Sequence, residues 1–253
     1  MKSGYSVSED REFRHIPEAV QWSQGLLVSW REFVGVGGMD DQLLLYDCAD
    51  APSARRARMF IAEKGRSINR INIDLRSREH LKPEYLAVNP AGMVPALRTL
   101  AGEIITENDG IAAYLEALWP EPPLLGRTAL ERGRVAEWNA RVELEGLLPL
   151  AASLRNSHPA FAGRAIPGVG SFEQISQLVP RSRSQVERFV PLLESHLGKH
   201  TFLAGPQFSF ADITGIVFVD FAVTVKLLDP AICVAVNEWS QRVRARSSYR
   251  ESL

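Results

Sequence analysis

The stretch Asn89-Pro90-Ala91-Gly92-Met93-Val94-Pro95-Ala96-Leu97-Arg98 decides how this chain folds. A proline cannot donate to a sheet ladder, so Pro95 at the head of an apolar run is unusual for a mid-sheet strand. Two readings are open. Pro95 is an ordinary turn proline, or Val94-Pro95 is a cis peptide that turns the chain sharply and leaves the backbone groups of Val94 facing outward. Working outward, Pro95–Arg98 and Glu103-Ile104-Ile105-Thr106 flank Ala101-Gly102, a hairpin signal. From Glu107 to Leu118 the apolar residues Ile111, Tyr114, Leu115 and Leu118 follow helical spacing. Upstream, Leu43–Asp47 is an apolar run of strand length. Pro52-Ser53 then opens a helix running to Lys64, with Ala57, Phe60 and Ile61 on one face. Gly65 stops it. Ile68–Ile73 alternates apolar and polar and reads as a second strand. A strand–helix–strand unit this tight implies a parallel pair with a right-handed crossover.

The summed order is strand, helix, strand, connection, strand, strand, helix, which is the thioredoxin topology. Pro120-Glu121-Pro122-Pro123 then breaks the chain. Everything after Leu124 reads as helix: Ala129 to Asn156 with a kink at Pro149, Ser182–Leu197, Ser209–Leu227 and Ala235–Arg246. The expected division is residues 41–120, a linker over 121–126, and an all-helical domain over 127–253. Residues 1–40 differ from the rest. They mix charges with Trp22, Trp30 and Phe33, and end in Gly35-Val36-Gly37-Gly38. We expect an appended extension with Met39 as the native start; a short helix over residues 16–33 is the alternative.

Composition narrows the function. Among 253 residues, 29 Lys+Arg stand against 30 Asp+Glu, a net charge of −1, which argues against a broad platform for nucleic acid. The basic run Arg181–Arg188 reads as a solvated helix start. Cys48 and Cys233 are the two cysteines, too far apart in sequence to suggest a disulfide scaffold or a metal cluster, which suits a reducing compartment. The longest apolar stretch, Ile213–Leu228, is interrupted by Asp220 and reads as a buried core helix, with no membrane partner expected. The N-terminus lacks a secretory pattern, since Glu9–Arg14 is charged and no long apolar region follows. The expected location is cytoplasmic.

Four stretches carry a family resemblance. They are Ala51–Arg58 with Ala62–Gly65, Asn89–Leu97, Thr106–Leu115, and Phe208-Ser209-Phe210-Ala211-Asp212-Ile213. In this order and spacing the chain resembles the cytosolic glutathione transferases, close to bacterial theta- or nu-like members, over residues 41–246. The resemblance implies an α/β thioredoxin-like N-terminal domain followed by an all-α helical C-terminal domain. It implies a homodimer, with glutathione as co-substrate, no further cofactor and no metal. It also assigns a site. Val94 and Pro95, as a cis peptide, would hold the cysteinyl part of glutathione through the backbone. Glu107 would take the γ-glutamyl ammonium while Asn108 and a helix N–H take its carboxylate. A helix N-terminus welcomes an anion, and pure capping fits the same geometry. Many members have Ser or Thr where this chain has Asn108. His80, on the polar stretch with Lys82, would hold the glycine carboxylate. Ser209 and Asp212 form a capping box that nucleates a buried helix, a structural role.

The nucleophile-activating group is less plain. Cysteine-type members open the first helix with Cys-Pro-x-Cys; here the segment is Ala51-Pro52-Ser53-Ala54, so a dithiol mechanism at that site is excluded. The serine and threonine types tend to place a hydroxyl at the position of Ala51, and that is missing too. Ser53 is the nearest hydroxyl and the expected catalytic residue, assisted by backbone N–H groups of residues 52–54. A plain helix-start serine is the alternative. Cys48 reads as a buried, inert thiol, and a mixed disulfide with glutathione is the minor alternative. The implied reaction adds the glutathione thiolate to a small hydrophobic electrophile, in a pocket walled near Trp138–Leu148. Rival readings are another glutathione-dependent enzyme (a disulfide reductase, peroxidase or isomerase) and a non-catalytic ligand-binding protein of the same fold.

Overall fold

The computed structural model describes residues 39–253. The expected extension, with its alternative helix over 16–33, lies outside the described residues apart from Met39 and Asp40, which open a short 3-10 turn at Met39–Gln42.

The α/β half contains β1 (Leu44–Asp47), α1 (Pro52–Glu63), β2 (Asn69–Asn72), the short α2 (Pro83–Leu86), β3 (Ala96–Arg98), β4 (Ile104–Thr106) and α3 (Asn108–Leu118). The sheet order is β2-β1-β3-β4. β2 runs parallel to β1, while β3 and β4 run antiparallel to their neighbours. β2 is an edge strand whose four residues are all exposed, although Ile68 and Ile73 at its two ends are buried. Its alternation therefore marks where the strand is anchored more than what it buries.

The register explains why a site forms at one end of this sheet. Tyr46 pairs with Ala96, and Ala96 pairs with Thr106. The C-terminal end of β1, the N-terminal end of β3 and the C-terminal end of β4 thus lie side by side. The turn into α1, the Val94-Pro95 peptide and the start of α3 emerge there together.

The helical half comprises α4 (Ala129–Arg141), α5 (Leu148–Ser157), α6 (Leu178–Leu197), α7 (Phe210–Thr224), α8 (Val234–Arg244) and α9 (Ser247–Glu251). The kink expected at Pro149 is a run of wide π-helical turns, Val142–Leu147, just before it. Pro149 has no N–H to give to the turn below, and a widened turn absorbs that defect. Gly146 sits in this run because a Cβ there would come within 2.9 Å of the Phe218 ring. α7 is apolar almost all round and buried along most of its length. Its capping box at Ser209 and Asp212 is present. The buried Asp212 carboxylate accepts from the Ser209 N–H and hydroxyl, the Leu203 N–H and the Trp239 indole N–H. Burial nevertheless pushes its pKa up to about 6.

One continuous apolar core joins the halves, running from Leu45 and Leu97 through Phe60 to Phe210, Phe218 and Trp239. The Phe60 and Phe210 rings meet edge to face at 5.6 Å. Charged ties reinforce the junction. Lys64, with its side chain wholly buried, reaches Glu116 and the Pro122 carbonyl, and Arg246 forks onto Glu63. Among the described residues no helix is long and apolar enough to cross a membrane, and no cluster of three or more His, Cys, Asp or Glu could hold a metal.

Candidate active site

The site is built on the loop Asn89–Pro95 that leads into β3. Val94-Pro95 is cis. The carbonyl just before it, that of Met93, accepts from the Tyr85 hydroxyl at 2.6 Å and the Asn89 side-chain N–H at 2.8 Å. Asn89 closes its own turn by accepting from the Ala91 N–H at 3.1 Å. Burial pushes the Tyr85 pKa up to about 12, so its hydroxyl stays a donor at neutral pH. Two side chains thereby fix the peptide that sets the direction of Val94. Neither was singled out from the sequence. The Pro83-Glu84-Tyr85 helix start before Asn89 was the available signal.

α1 meets this loop at its first turn. Ser53, exposed, donates its hydroxyl proton to the Val94 carbonyl at 2.9 Å. The N-cap residue Ala51 offers no side-chain cap. Pro52 at the first helical position has no N–H, which removes one of the three backbone donors expected over 52–54. The first backbone bond of the helix runs from Arg55 N–H to Ala51 O. The N–H groups of Ser53 and Ala54 precede it and remain at the positive end of the helix. Cys48 is buried against Ala51, Tyr85 and Val94, a free thiol under the same floor.

Across the sheet end, Glu107 caps α3 with φ 62° and ψ 140°. That backbone region is costly for any residue with a Cβ, by about 1–3 kcal/mol. Such strain persists only where the surroundings impose it. Glu107 is exposed, while Asn108 is buried and its Oδ1 has no partner. An unpaired buried acceptor next to a helix N-terminus leaves room for a donor supplied from outside the chain.

Behind α3 stands a buried arginine that sequence reading passed over. The Arg56 guanidinium, on α1, contacts Glu143 at 3.2 Å, Asn139 at 3.3 Å and Asp109 at 3.8 Å. Asn139 in turn donates to Asp109 at 2.7 Å and accepts from Thr214 at 2.6 Å. One cation thus ties α1, the start of α3, α4 and α7 together. A cleft of about 980 Å³ runs beside it between α3 and α4, lined by Asp109, Ala113, Pro123 and Ala136. It does not reach Ser53, Val94 or His80.

His80 lies in a 3-10 turn, Glu79–Leu81, and is 9% exposed. Burial lowers its pKa, and the charges of Arg164, Arg155 and Arg78 lower it further. Both effects favour the uncharged ring. Lys82 is exposed and lies 3.9 Å from Glu79. The wall expected near Trp138–Leu148 divides in two. Trp138 turns inward onto His196, with ring centroids 3.8 Å apart. Leu144 and Leu148 stand exposed.

The geometry can be set beside known proteins. A family model for the glutathione S-transferase N-terminal domain matches residues 45–123. One for the glutathione S-transferase C-terminal domain matches residues 176–242. The chain is 34% identical over 220 residues to glutathione S-transferase 2 of Saccharomyces cerevisiae, covering 85% of this chain and 91% of that one. It superposes on the crystal structure of Gtt2 from Saccharomyces cerevisiae with a TM-score of 0.75 at 33% identity, over 83% of this chain and all of that one. A glutathione transferase homologue from Sulfitobacter, crystallised with bound glutathione, has the same fold, with a TM-score of 0.69 at 22% identity over 82% of this chain and 95% of that one.

Proposed function

Because the chain belongs to the glutathione S-transferase family, we propose that it seats glutathione across the sheet end and adds its thiolate to a small hydrophobic electrophile. The observation that carries this reading is the convergence of the first turn of α1 on Val94, through the Ser53–Val94 hydrogen bond. A cysteinyl backbone paired with Val94 would present its sulfur to that turn. Glu107 takes the γ-glutamyl ammonium, and Asn108 with the α3 N-terminus takes the carboxylate beside it. His80 faces the glycine end.

The chemistry needed from the protein is modest. A thiol with a pKa near 8.5 must become a thiolate at neutral pH, and two units correspond to about 2.7 kcal/mol. Ser53 is the catalytic donor in this reading. Its one hydroxyl proton is held by Val94 O, and rotation about χ1 hands it to a sulfur arriving beside that carbonyl. The N–H groups of Ser53 and Ala54 and the positive helix end assist. Cys48 is buried and stands apart from the reaction. Leu144 and Leu148 are offered as part of the electrophile wall. We also propose that the enzyme is a cytoplasmic homodimer, and that residues 121–126 link a glutathione domain over 41–120 to a helical domain over 127–253.

The test is retention on immobilised glutathione together with turnover of an activated aryl halide. Retention without turnover would favour a carrier. Turnover confined to disulfides or hydroperoxides would favour a different glutathione-dependent reaction on the same scaffold.

A further inference from the structure

We infer that the connection between α5 and α6 carries a strap, Pro167-Gly168-Val169-Gly170, that positions the backbone leading to Val94. The inference rests on the transferase reading above and gives the helical half a share in the glutathione site through Ala91.

The neck of the strap is closed by its own hydrogen bonds. The Ala165 N–H donates to the Phe172 carbonyl at 2.9 Å, and the Phe172 N–H donates to the Gly163 carbonyl at 3.0 Å. α5 holds both ends. On one side the Arg155 guanidinium donates to the carbonyls of Arg164 at 2.7 Å and Ala165 at 3.3 Å. On the other, Asn156 accepts from the Ile175 N–H at 2.8 Å, and the Gln174 side chain donates to the Arg155 carbonyl at 2.8 Å. A loop whose ends are closed in this way is a compact unit that moves with its helix, so α5 decides where the tip stands.

The tip meets the α/β half at Ala91. The Val169 N–H donates to the Ala91 carbonyl at 3.2 Å. Gly168, with φ 90°, lies so close that a Cβ there would come within 2.5 Å of the same oxygen. From the other side, a Cβ on Gly92 would come within 3.2 Å of the Val169 side chain. Both approaches need bare backbone. Burial of apolar surface is not what holds the tip, since Ile166 and Val169 stay 53% and 52% exposed. What the tip makes instead is a grip on one peptide. The Ala91 N–H is held by Asn89 Oδ1, the Ala91 carbonyl by Val169, and the Met93 carbonyl by Tyr85 and Asn89. Among the described residues Val169 is the partner in this set that comes from the helical half. Val94 follows directly, and in the transferase reading its backbone pairs with the cysteinyl group. Hydrogen bonds weaken steeply with misalignment, so a loop released from the strap holds that group less well.

The test compares Gly168→Ala with Gly163→Ala. Both glycines have positive φ, 90° and 69°, so alanine strains the backbone at either. At Gly168 the new methyl group runs into Ala91, whereas at Gly163 its nearest neighbour is the Ser171 hydroxyl at 3.6 Å. With an activated aryl halide, Gly168→Ala should raise the KM for glutathione about fivefold or more, as for one lost hydrogen bond, while kcat at saturating glutathione and the KM for the halide stay within about twofold. Gly163→Ala should leave all three unchanged. Equal rises in the two variants would reduce the strap to a structural loop and overturn the inference. So would a lowered melting temperature in Gly168→Ala with its KM for glutathione unchanged. A second measurement uses wild type and needs no variant to fold. Exchange of the Val169 amide hydrogen, followed by NMR, should slow several-fold when S-methylglutathione binds, because ligand and strap grip the same loop. Exchange that is unaltered at saturation overturns the inference. A wild type that neither binds S-methylglutathione nor turns over the halide overturns the transferase reading, and the role of the strap falls with it.

Discussion

The hydroxyl of Ser53 donates to the carbonyl of Val94 across 2.9 Å, fastening the first turn of α1 to the residue before the cis-proline. The helix that would stabilise a thiolate and the backbone that would hold its peptide are one mechanical unit. Ser53→Ala cuts this tie and removes the only hydroxyl in that turn. Turnover of an aryl halide at neutral pH should fall about tenfold, equivalent to about one pKa unit on the bound thiol. The loss should shrink as pH rises, because the thiolate then forms in both proteins. Glutathione affinity should change less than turnover. A Cys48→Ser enzyme that is inactive while Ser53→Ala stays active would move the chemistry to thiol exchange.

Glu107 combines a charge with a strained backbone. Glu107→Gln should weaken glutathione binding by about 1.5–3 kcal/mol, since a charge-assisted contact is lost, and leave the fold intact. Glu107→Gly relieves the strain at φ 62° and should hold or raise the melting temperature while losing affinity to a similar degree. Calorimetric titration paired with thermal melts reads both. An affinity within twofold of wild type in each variant would remove Glu107 from the site.

Tyr85 and Asn89 share the Met93 carbonyl. Tyr85→Phe removes one donor and should raise the KM for glutathione several-fold, a net hydrogen bond being worth about 1 kcal/mol. Asn89→Ala removes the other donor and also opens its own turn, so its effect should be larger. Both should act on KM for glutathione more than on the KM for the electrophile. The opposite split would show that the loop positions something other than the cysteinyl backbone.

Asp212 makes stability depend on pH. Its folded pKa of about 6 lies above the 3.8 of a free aspartate, so between those values the folded state binds more protons than the unfolded one. Stability from this group is therefore greatest below pH 4, falls as pH rises to about 6 and is level above, a change of about 3 kcal/mol at 1.36 per unit. Asp212→Asn should lose that slope. At pH 7 the variant should still be weaker than wild type, because an amide nitrogen replaces one of the two oxygens and cannot accept, leaving either the Ser209 N–H or the Leu203 and Trp239 N–H groups without their acceptor. Urea unfolding of the two proteins from pH 4 to pH 7.5 checks this, and parallel curves would contradict it.

The sequence by itself determined the order of elements, the hairpin, the α7 cap and, with the family resemblance, the cis-proline and the Glu107-Asn108 turn. These are local features. Helical and strand spacing, glycine stops and proline chemistry act within a few residues, so they can be read without knowing what packs against them. Only the tertiary structure decided which charges are buried and where they point. Arg56 is a core residue because Glu143, 87 positions away, comes to meet it. Trp138 faces inward because His196, on α6, comes to meet its ring. The pKa of His80 is lowered first by its burial and then by the charges of Arg164 and Arg155, which come from the helical half. A buried charge is tolerated only where a distant partner or a ligand offsets its desolvation, and no local pattern records such a meeting.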